Sequence, residues 1–466
     1  MRSLFRPSLI LLLIFSAACI PALEAASAPR LRVSANQRFL EYQDGRPFFY
    51  LGDTAWELFH RLTREEAALY LENRARKGFT VIQAVVLAEL RGLDEPNPYG
   101  DLPLVDKDPR RPNERYFRHV DAIVGKAESL GLFIGMLPTW GSYWKSERRE
   151  DPPIFNPANA REFGRFLGRR YRDRAVIWIL GGDHNVENEQ ERAVIEAMAE
   201  GLREGDGGVH LITYHPRGPG FSSAMFHNAP WLDFNMFQSS HGAKDHDTGL
   251  FAERDWKLSP PKPTLDGEPR YEGTRAAYYF DGAPRYQRFD DYDVRQAAYW
   301  SLLGGACGHT YGHNSIWQMY APPKKPASGA DISWQEALDH PGAFQMGLMR
   351  RLFESRPFTK LQPAQHMILD GPTHGGAKIR AALSEDGSFA FVYSPQGERV
   401  TINIELLRAK QKRAIWFDPR YGYVYVILIA ETAGIQTYTP PTSGRGNDWV
   451  LIIEDVDKEF PLPGRR

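Results

Sequence analysis

The stretch WILGGDHN, Trp178–Asn185, decides the fold class because it joins a buried strand to a polar end. It completes the apolar run Val176–Leu180, whose β-branched and aromatic residues are typical of a strand interior. Gly181 and Gly182 then weaken the strand and allow another backbone or a ligand to approach closely. The stretch predicts a strand that presents Asp183 at its carboxyl end. A turn in which Asp183 caps the next helix is the structural alternative.

Seven more runs of this kind alternate with helical patterns between about residues 48 and 350. The eight strand candidates are FFYLGD (48–53), FTVIQAVVL (79–87), LFIGMLPTW (132–140), AVIWILGGD (175–183), HLITYHP (210–216), LDFNMFQSSH (232–241), KPTLDGE (262–268) and GHTYGHN (308–314). Near-continuous apolar strands separated by helices indicate a parallel sheet buried on both faces. Eight such units predict an α/β fold, a (β/α)8 TIM barrel. An open doubly wound sheet is the alternative, but no glycine-rich phosphate loop supports it.

Residues 1–28 have the pattern of a secretory signal peptide, in which two arginines precede an apolar run that ends in Ala26-Ser27-Ala28. We expect cleavage after Ala28 and export to the periplasm or the extracellular space. A lipoprotein cleavage site at Cys19 is the alternative, weakened by a serine where an aliphatic residue is expected. The apolar run is too short for a comfortable membrane span, and no later segment approaches one. Cys307 is the other cysteine, so we expect no intramolecular disulfide in the exported chain.

The remaining sequence divides into two predicted domains. Residues 29–355 form the barrel, preceded by a β-hairpin with its turn at Asp44-Gly45. After residue 356 the pattern changes to short alternating strands, as in KIRAALSEDGSFAFVYSP (378–395) around an Asp-Gly turn. Residues 356–466 are therefore predicted to form a C-terminal antiparallel β-sandwich.

Composition restricts the partners of the protein. Lys and Arg number 57 against 58 Asp and Glu, and no basic tract occurs, so a nucleic-acid partner is not expected. Aromatic residues are plentiful, with 11 Trp and 21 Tyr, and most of them are expected in the core. Surplus aromatic rings favour an oligosaccharide or polysaccharide substrate, because sugars stack their apolar C–H faces on flat side chains. The sequence leaves the oligomeric state open.

Two carboxylates, Asp183 and Glu268, each follow a predicted strand and lie beside glycine. Active sites of TIM barrels lie at the carboxyl ends of the strands, and strands four and seven face each other across the mouth. Glycoside hydrolysis needs such a pair, with Asp183 as proton donor and Glu268 as nucleophile. Their separation would be about 5–5.5 Å for retention and roughly 6.5–9.5 Å for inversion, and we expect retention. The structural alternative for Glu268 is a turn residue paired with Arg270.

Polar and aromatic residues at the other strand ends are candidates for binding the sugar. The predicted substrate-binding residues are Asp53, Trp56, Glu89, Trp140, Asn185, His215, Gln238, His241, Tyr271 and Trp317. Some of them have a structural alternative: Asp53 and Glu89 could cap turns, and the tryptophans, Trp144 among them, could be core or loop packing. Asp266 shares a strand face with Glu268 but lies deeper, which favours a structural role.

Histidines near strand ends raise the alternative of a metal-dependent hydrolase. They are His184, His215, His241, His309 and His313. No His-x-His motif follows the first strand, and no cluster has ligand spacing, so no metal and no cofactor are predicted.

Several blocks, in order along the chain, resemble the apiosidase-like glycoside hydrolases, glycoside hydrolase family 140. They are FFYLGDTAWELFHRLTREEAALYLENRARKGFTVIQAVVLAE (48–89), PNPYGDLPL (96–104), RPNERYFRHVDAIV (111–124), GGDHN (181–185) and DGEPRYEG (266–273). WFDPRYG (416–422) and TPPTSGRGNDWVLIIED (439–455) are similar to a domain labelled as collagen-binding. We interpret that part as an accessory sandwich packed on the barrel.

The resemblance implies a barrel and sandwich that cleave apiose-containing side chains of the pectin rhamnogalacturonan II. The family's catalytic Asp and Glu map onto Asp183 and Glu268. The expectation is therefore a secreted glycosidase acting on a plant or other complex polysaccharide. A barrel that binds carbohydrate or matrix without catalysis, and a metal-dependent hydrolase, are the alternatives.

Overall fold

The computed structural model describes residues 28–145, 153–276, 287–431 and 433–463. The predicted signal peptide, apart from Ala28, lies outside the described residues. Within the described ranges, no helix combines the length and the apolar character needed to cross a membrane.

A small antiparallel sheet precedes the barrel. Its strands are β1 (Leu31–Val33), β2 (Leu40–Tyr42) and β3 (Pro47–Phe48). Gly45, with φ of 86°, lies in the predicted turn between β2 and β3. The Phe48 ring packs edge-on at 5.3 Å from Phe133, at the start of a barrel strand. The hairpin thus contacts the N-terminal end of the barrel.

Eight buried parallel strands and one short antiparallel strand form the central sheet. They are β4 (Tyr50–Thr54), β5 (Val81–Leu87), β6 (Phe133–Thr139), β7 (Val176–Leu180), β8 (Ile212–Tyr214), β9 (Gly220–Phe221), β10 (Asn235–Gln238), β11 (Thr264–Asp266) and β12 (Gly308–Tyr311). The order is β8-β7-β6-β5-β4-β12-β11-β10-β9, with β9 antiparallel to β10. The N–H of Asp233 donates to the carbonyl of Ile212 at 2.9 Å, which brings the β10 side of the sheet to β8. The predicted (β/α)8 fold class is confirmed.

Helices cover the outside of this sheet. They are α1 (Leu58–Arg61), α2 (Arg64–Lys77), α3 (Glu114–Ser129), α4 (Pro157–Tyr171), α5 (Glu189–Asp206), α6 (Ser223–Phe226), α7 (Gly249–Trp256), α8 (Asp291–Leu303), α9 (Trp334–Ala337) and α10 (Pro341–Glu354). Short 3-10 turns occupy Val105–Lys107, Gly141–Tyr143, Phe358–Lys360, Gln365–Met367, Gly375–Ala377, Ile404–Leu406 and Val456–Lys458. The fifth unit departs from the regular pattern, since only β9 and the single-turn α6 separate β8 from β10.

Two antiparallel sheets form the C-terminal part, as predicted. Their strands are β13 (Leu361–Pro363), β14 (Ile368–Asp370), β15 (Arg380–Ser384), β16 (Phe389–Ser394), β17 (Val400–Asn403), β18 (Lys412–Phe417), β19 (Val424–Ala430), β20 (Ile435–Tyr438) and β21 (Trp449–Asp455). The orders are β13-β15-β16-β21-β18-β19 and β14-β17-β20. Ile402, Ala414 and Leu451 contribute to the apolar layer of this domain.

The sandwich packs on α8 and α10 of the barrel. Tyr299 of α8 stacks on Tyr393 of β16, with ring centroids 4.8 Å apart and planes at 16°. Arg295 of α8 makes two hydrogen bonds to Asp448, at 3.0 and 2.8 Å, with both side chains almost fully buried. Phe353 of α10 packs edge-on against Phe391 at 5.2 Å.

Candidate active site

The two glycines after β7 shape a turn that points Asp183 into the barrel mouth. Gly181, Gly182 and Asp183 all have left-handed backbones, with φ of 96°, 70° and 61°. A Cβ on Gly181 would lie 2.3 Å from the carbonyl oxygen of His215, and one on Gly182 would lie 2.8 Å from that of Thr139. Side chains at both positions are therefore excluded by backbone conformation and by contact. The strained conformation of Asp183 is typical of a functional position.

Glu268 lies two residues beyond β11, on the opposite side of the mouth. The N–H of Gly267 donates to the carbonyl of Phe237 at 2.8 Å, and the carbonyl of Glu268 accepts from the N–H of Ser240 at 3.0 Å. These bonds hold the segment against β10. One carboxylate oxygen of Glu268 and one of Asp183 lie within 4.8 Å of each other. The structure thus brings the two predicted acids together over one cavity.

Two histidines flank the Glu268 carboxylate. Nε2 of His241 forms a hydrogen bond to Oε1 at 3.1 Å. Nε2 of His215 lies 3.1 Å from Oε2, an ion-pair contact without the alignment of a regular hydrogen bond. Nδ1 of His215 accepts the backbone N–H of Asp183 at 3.2 Å. A neutral His215 therefore carries its proton on Nε2, toward Glu268.

The surroundings separate the pKa values of the two acids. Burial and the negative charge of Glu268 raise the pKa of Asp183 to about 7. Burial also acts to raise the pKa of Glu268, but the His241 hydrogen bond, the His215 ion-pair contact and the charges of both imidazoles outweigh it and bring that pKa to about 2. Near neutral pH the site therefore holds one acid with a substantial protonated fraction and one ionised carboxylate.

Asp183, His215 and Glu268 also form the candidate metal-ligand cluster found in the described part of the chain. Their ligand atoms lie within 4.8 Å of one another. The hydrogen bond from Asp183 N–H places the proton of neutral His215 on Nε2, so the atom facing Glu268 has no lone pair for a cation. The cluster fits an acid–base pair better than a metal centre.

The other three histidines at strand ends are buried. His309 is fully buried in the barrel, which lowers its pKa to about 3. Nε2 of His313 is 3.1 Å from Nδ1 of His340. His184 is buried with its ring 6.1 Å from Trp144.

A cleft of about 250 Å³ surrounds the two acids. Seven of the predicted substrate-binding residues line it: Trp56, Glu89, Trp140, Gln238, His241, Tyr271 and Trp317. The rings of Trp56 and Trp140 are 5.7 Å apart, and Trp56 meets His215 edge-on at 5.3 Å. The cleft thus combines aromatic surface with polar groups, which suits a sugar.

Besides His215, which contacts Glu268 and is fully buried, three sequence candidates lie outside the cleft lining. Asp53 is fully buried outside the cleft, where it accepts hydrogen bonds from Tyr70 and from Arg74. Asn185 lies beside the cleft rather than in its lining, and its Oδ1 accepts the N–H of Arg217 at 3.0 Å. Trp144 is buried and donates to the carbonyl of Gly181 at 2.7 Å. Each of these side chains supports the site instead of facing it.

Six further residues line the cleft that sequence reasoning did not select: Arg217, Gly218, Ser240, Thr274, Asn314 and Ser328. Arg217 and Gly218 directly follow the strand candidate HLITYHP (210–216), three and four residues after the end of β8, so their position beyond a strand end was a usable signal. Ser328 arrives from the irregular segment after β12, and its carbonyl accepts from the Asn314 amide at 3.1 Å. No local pattern marks Ser328, because its position depends on a long-range contact.

A barrel of this type with two carboxylates across its mouth defines a class of protein, the glycoside hydrolases. The chain belongs to the apiosidase-like family: the family's catalytic domain, "Apiosidase-like, catalytic domain", matches residues 34–360. Residues 362–454 match a second family, "Putative collagen-binding domain of a collagenase".

Solved structures agree with this assignment. The chain is similar to a structure described as "Glycoside hydrolase", with 33% identity, 93% of this chain and 98% of that chain covered, and a TM-score of 0.84. It is also similar to a glycoside hydrolase family 5 structure from Bacteroides vulgatus, with 30% identity, 94% and 95% coverage, and a TM-score of 0.84. No curated protein matches the chain.

Proposed function

We propose that this glycoside hydrolase acts by a retaining two-carboxylate mechanism, with Asp183 as general acid and base and Glu268 as nucleophile. The observation that carries the proposal is the short separation of the two carboxylates, whose oxygens approach within 4.8 Å. Retaining glycosidases have such short separations, about 5–5.5 Å, whereas inverting ones leave roughly 6.5–9.5 Å for a water molecule.

The protonation states fit the two steps of this mechanism. In the first, protonated Asp183 gives its proton to the glycosidic oxygen while the Glu268 carboxylate attacks the anomeric carbon, so the sugar becomes an ester of Glu268. In the second, the Asp183 carboxylate takes a proton from water, and the water oxygen displaces Glu268 from the anomeric carbon. His215 and His241 stabilise Glu268 as the ionised nucleophile before attack and as the leaving carboxylate afterwards.

The proposed substrate is a plant or other complex polysaccharide, with an apiose-containing side chain of rhamnogalacturonan II as the first candidate. The family name and the aromatic and polar lining of the cleft support this choice. The pattern of residues 1–28 supports export to the periplasm or the extracellular space.

The test starts with a panel of plant and bacterial oligosaccharides, with products identified by mass spectrometry. For the sugar that is cleaved, Glu268→Gln should abolish turnover and retain sugar binding, because only the nucleophile is lost. Glu272→Gln is the matched control: Glu272 is a nearby buried acid outside the cleft lining, bound to Tyr311 and Gly342, and its variant should keep turnover. Unchanged hydrolysis by Glu268→Gln would reject the assignment.

The same substrate tests the metal-dependent alternative. Dialysis of the wild-type protein against EDTA should leave its hydrolysis rate unchanged, because the two carboxylates supply both the acid and the nucleophile. Loss of activity on chelation, with recovery on adding back a divalent cation, would replace the two-carboxylate mechanism with a metal-assisted one.

A further inference from the structure

Large apolar side chains are exposed mainly in one segment of the sandwich. Of the thirteen large hydrophobic residues exposed in the described chain, seven lie between residues 421 and 435. Four are on β19, and three flank it: Tyr425, Val426, Ile427 and Ile429 on the strand, and Tyr421, Tyr423 and Ile435 beside it. We call these seven residues the β19 surface. Clustered exposed apolar residues of this kind mark an interaction site rather than ordinary surface.

The strand that carries this surface also has an unpaired edge. β19 is the last strand of its six-stranded sheet, and among the described residues only β18 pairs with it. Its sequence, VYVILIA, contains no charge and no proline. Natural proteins usually protect an exposed edge with charged residues, proline or a covering element. An edge of seven apolar residues without such protection is suited to pairing with another strand.

We propose that β19 pairs with β19 of a second copy of this chain, in antiparallel orientation about a two-fold axis. Antiparallel self-pairing is closed, so it forms a dimer and not a fibre. The two ends of the strand carry neutral ion pairs, Asp418–Arg420 at 2.8 Å and Lys410–Glu431 at 3.3 Å. In an antiparallel dimer, the Asp418–Arg420 pair of one copy faces the Lys410–Glu431 pair of the other. Both pairs are neutral, so the two strands meet without like-charge repulsion.

The size of the surface fits a dimer. Its side chains are 43–65% exposed. At roughly 200 Å² for a tyrosine and about 150 Å² for a valine or isoleucine, the exposed fractions of the seven amount to about 650 Å² per copy. A standard interface buries about 800 Å² per partner, so this apolar surface with the paired backbone edges reaches that size.

Light scattering coupled to size exclusion tests the proposal on the exported chain at micromolar concentration. The wild type should elute with the mass of two copies. Ile427→Lys with Ile429→Lys should elute with the mass of one, because pairing would bury unpaired ammonium groups. Tyr425→Lys should also lower the mass. Leu250→Lys is the matched control, since Leu250 is 49% exposed on α7 and its variant should remain dimeric.

Hydrolysis rates of the variants should match the wild type, since none of these residues lines the cleft, and each variant should still unfold in one cooperative transition. A wild-type mass of one copy would overturn the proposal, and so would a dimer that persists in the Ile427→Lys, Ile429→Lys variant. Binding of a polysaccharide or a peptide to the β19 surface of a monomeric wild type would assign the surface to another partner and equally overturn it.

Discussion

At the scale of single residues, the imidazole of His215 contacts both of the proposed catalytic acids, Asp183 and Glu268. Nδ1 of His215 accepts the backbone N–H of Asp183, and its Nε2 faces the carboxylate of Glu268. The ring therefore fixes the strained main chain that carries one acid while it favours ionisation of the other. Two buried carboxylates this close would otherwise compete for one proton. The two histidines lower the pKa of Glu268, so Glu268 is the carboxylate that stays ionised.

This division of roles predicts the pH profile. The pKa of Asp183 is raised to about 7 and that of Glu268 is lowered to about 2, so kcat/KM should fall above pH 7 as Asp183 loses the proton it must donate, and should fall in strong acid as Glu268 becomes protonated. Asp183→Asn should abolish turnover of substrates with poor leaving groups. With a nitrophenyl glycoside, whose leaving group needs no protonation, the variant should still release nitrophenol in a burst. The rate of this burst should not change with pH near 7. A burst with the wild-type pH dependence would contradict the role of Asp183.

The positions of the two acids could be predicted from sequence because each lies two or three residues beyond a strand, and the carboxyl ends of barrel strands form the active-site face. Asp53 shows where this reasoning fails. It lies within β4 and its side chain turns outward to Arg74 of α2, and a buried strand gives no alternation to reveal that direction. Ser328 and Thr274 could not be predicted, because their places depend on how distant loops meet.

At the scale of elements, the turn after β7 determines where Asp183 lies, because its two glycines allow the backbone conformation that places this acid. Three successive left-handed residues are possible there because two of them are glycine. The backbone of the β6–α4 connection packs directly on Gly182. The length of β7 is therefore set by the turn: it ends at Leu180, three residues short of the predicted end.

Gly182→Ala should displace Asp183 and lower kcat/KM by about 100-fold, as expected for a shift of about 1 Å in a catalytic group. The new Cβ would lie 2.8 Å from the N of Gly141 and the O of Thr139. Gly131→Ala is the matched control, because Gly131 also has a positive φ, 75°, but a Cβ there meets nothing within 4 Å. Its variant should lose stability only, measured by denaturant unfolding. Equal kcat/KM for both variants would show that the turn does not position Asp183.

Element type was predictable for the barrel strands because continuous apolar runs bounded by helices have few alternatives. The residues at which the strands end were not predictable, because the polar residues that follow each strand leave the sheet and form the mouth of the barrel. The short β9 is set by its pairing with β10 and has no sequence signal of its own.

At the scale of the whole molecule, buried ion pairs join the barrel to the sandwich. Asp448 accepts two hydrogen bonds from Arg295 and one from Tyr393, while Arg380 of β15 donates two hydrogen bonds to Asp247 of the barrel, at 2.9 and 2.7 Å. Arg295 and Asp448 are 153 positions apart in the chain, so no sequence pattern links them. The family resemblance predicted that both domains exist, and the structure shows how they are joined.

Asp448→Asn should destabilise the protein by about 3 kcal/mol, because it removes the buried countercharge of Arg295 and leaves only the partly exposed carboxylate of Asp291, at 2.6 Å, to pair with the guanidinium. Asp370→Asn breaks the exposed pair with Arg399, whose side chains are 65% and 64% exposed, and should cost less than about 1 kcal/mol. Urea unfolding followed by tryptophan fluorescence measures both. Equal, small effects would show that the interface pair contributes little to the stability of the molecule.

The most direct measurement of the central claim is to trap the glycosyl-enzyme. The wild type is incubated with an activated 2-deoxy-2-fluoro glycoside of the sugar that it cleaves, digested, and mapped by mass spectrometry. The account predicts one added glycosyl group, on the peptide that contains Glu268, and no adduct in Glu268→Gln. A label on another residue, or hydrolysis of the natural substrate with inverted product and no adduct, would contradict it.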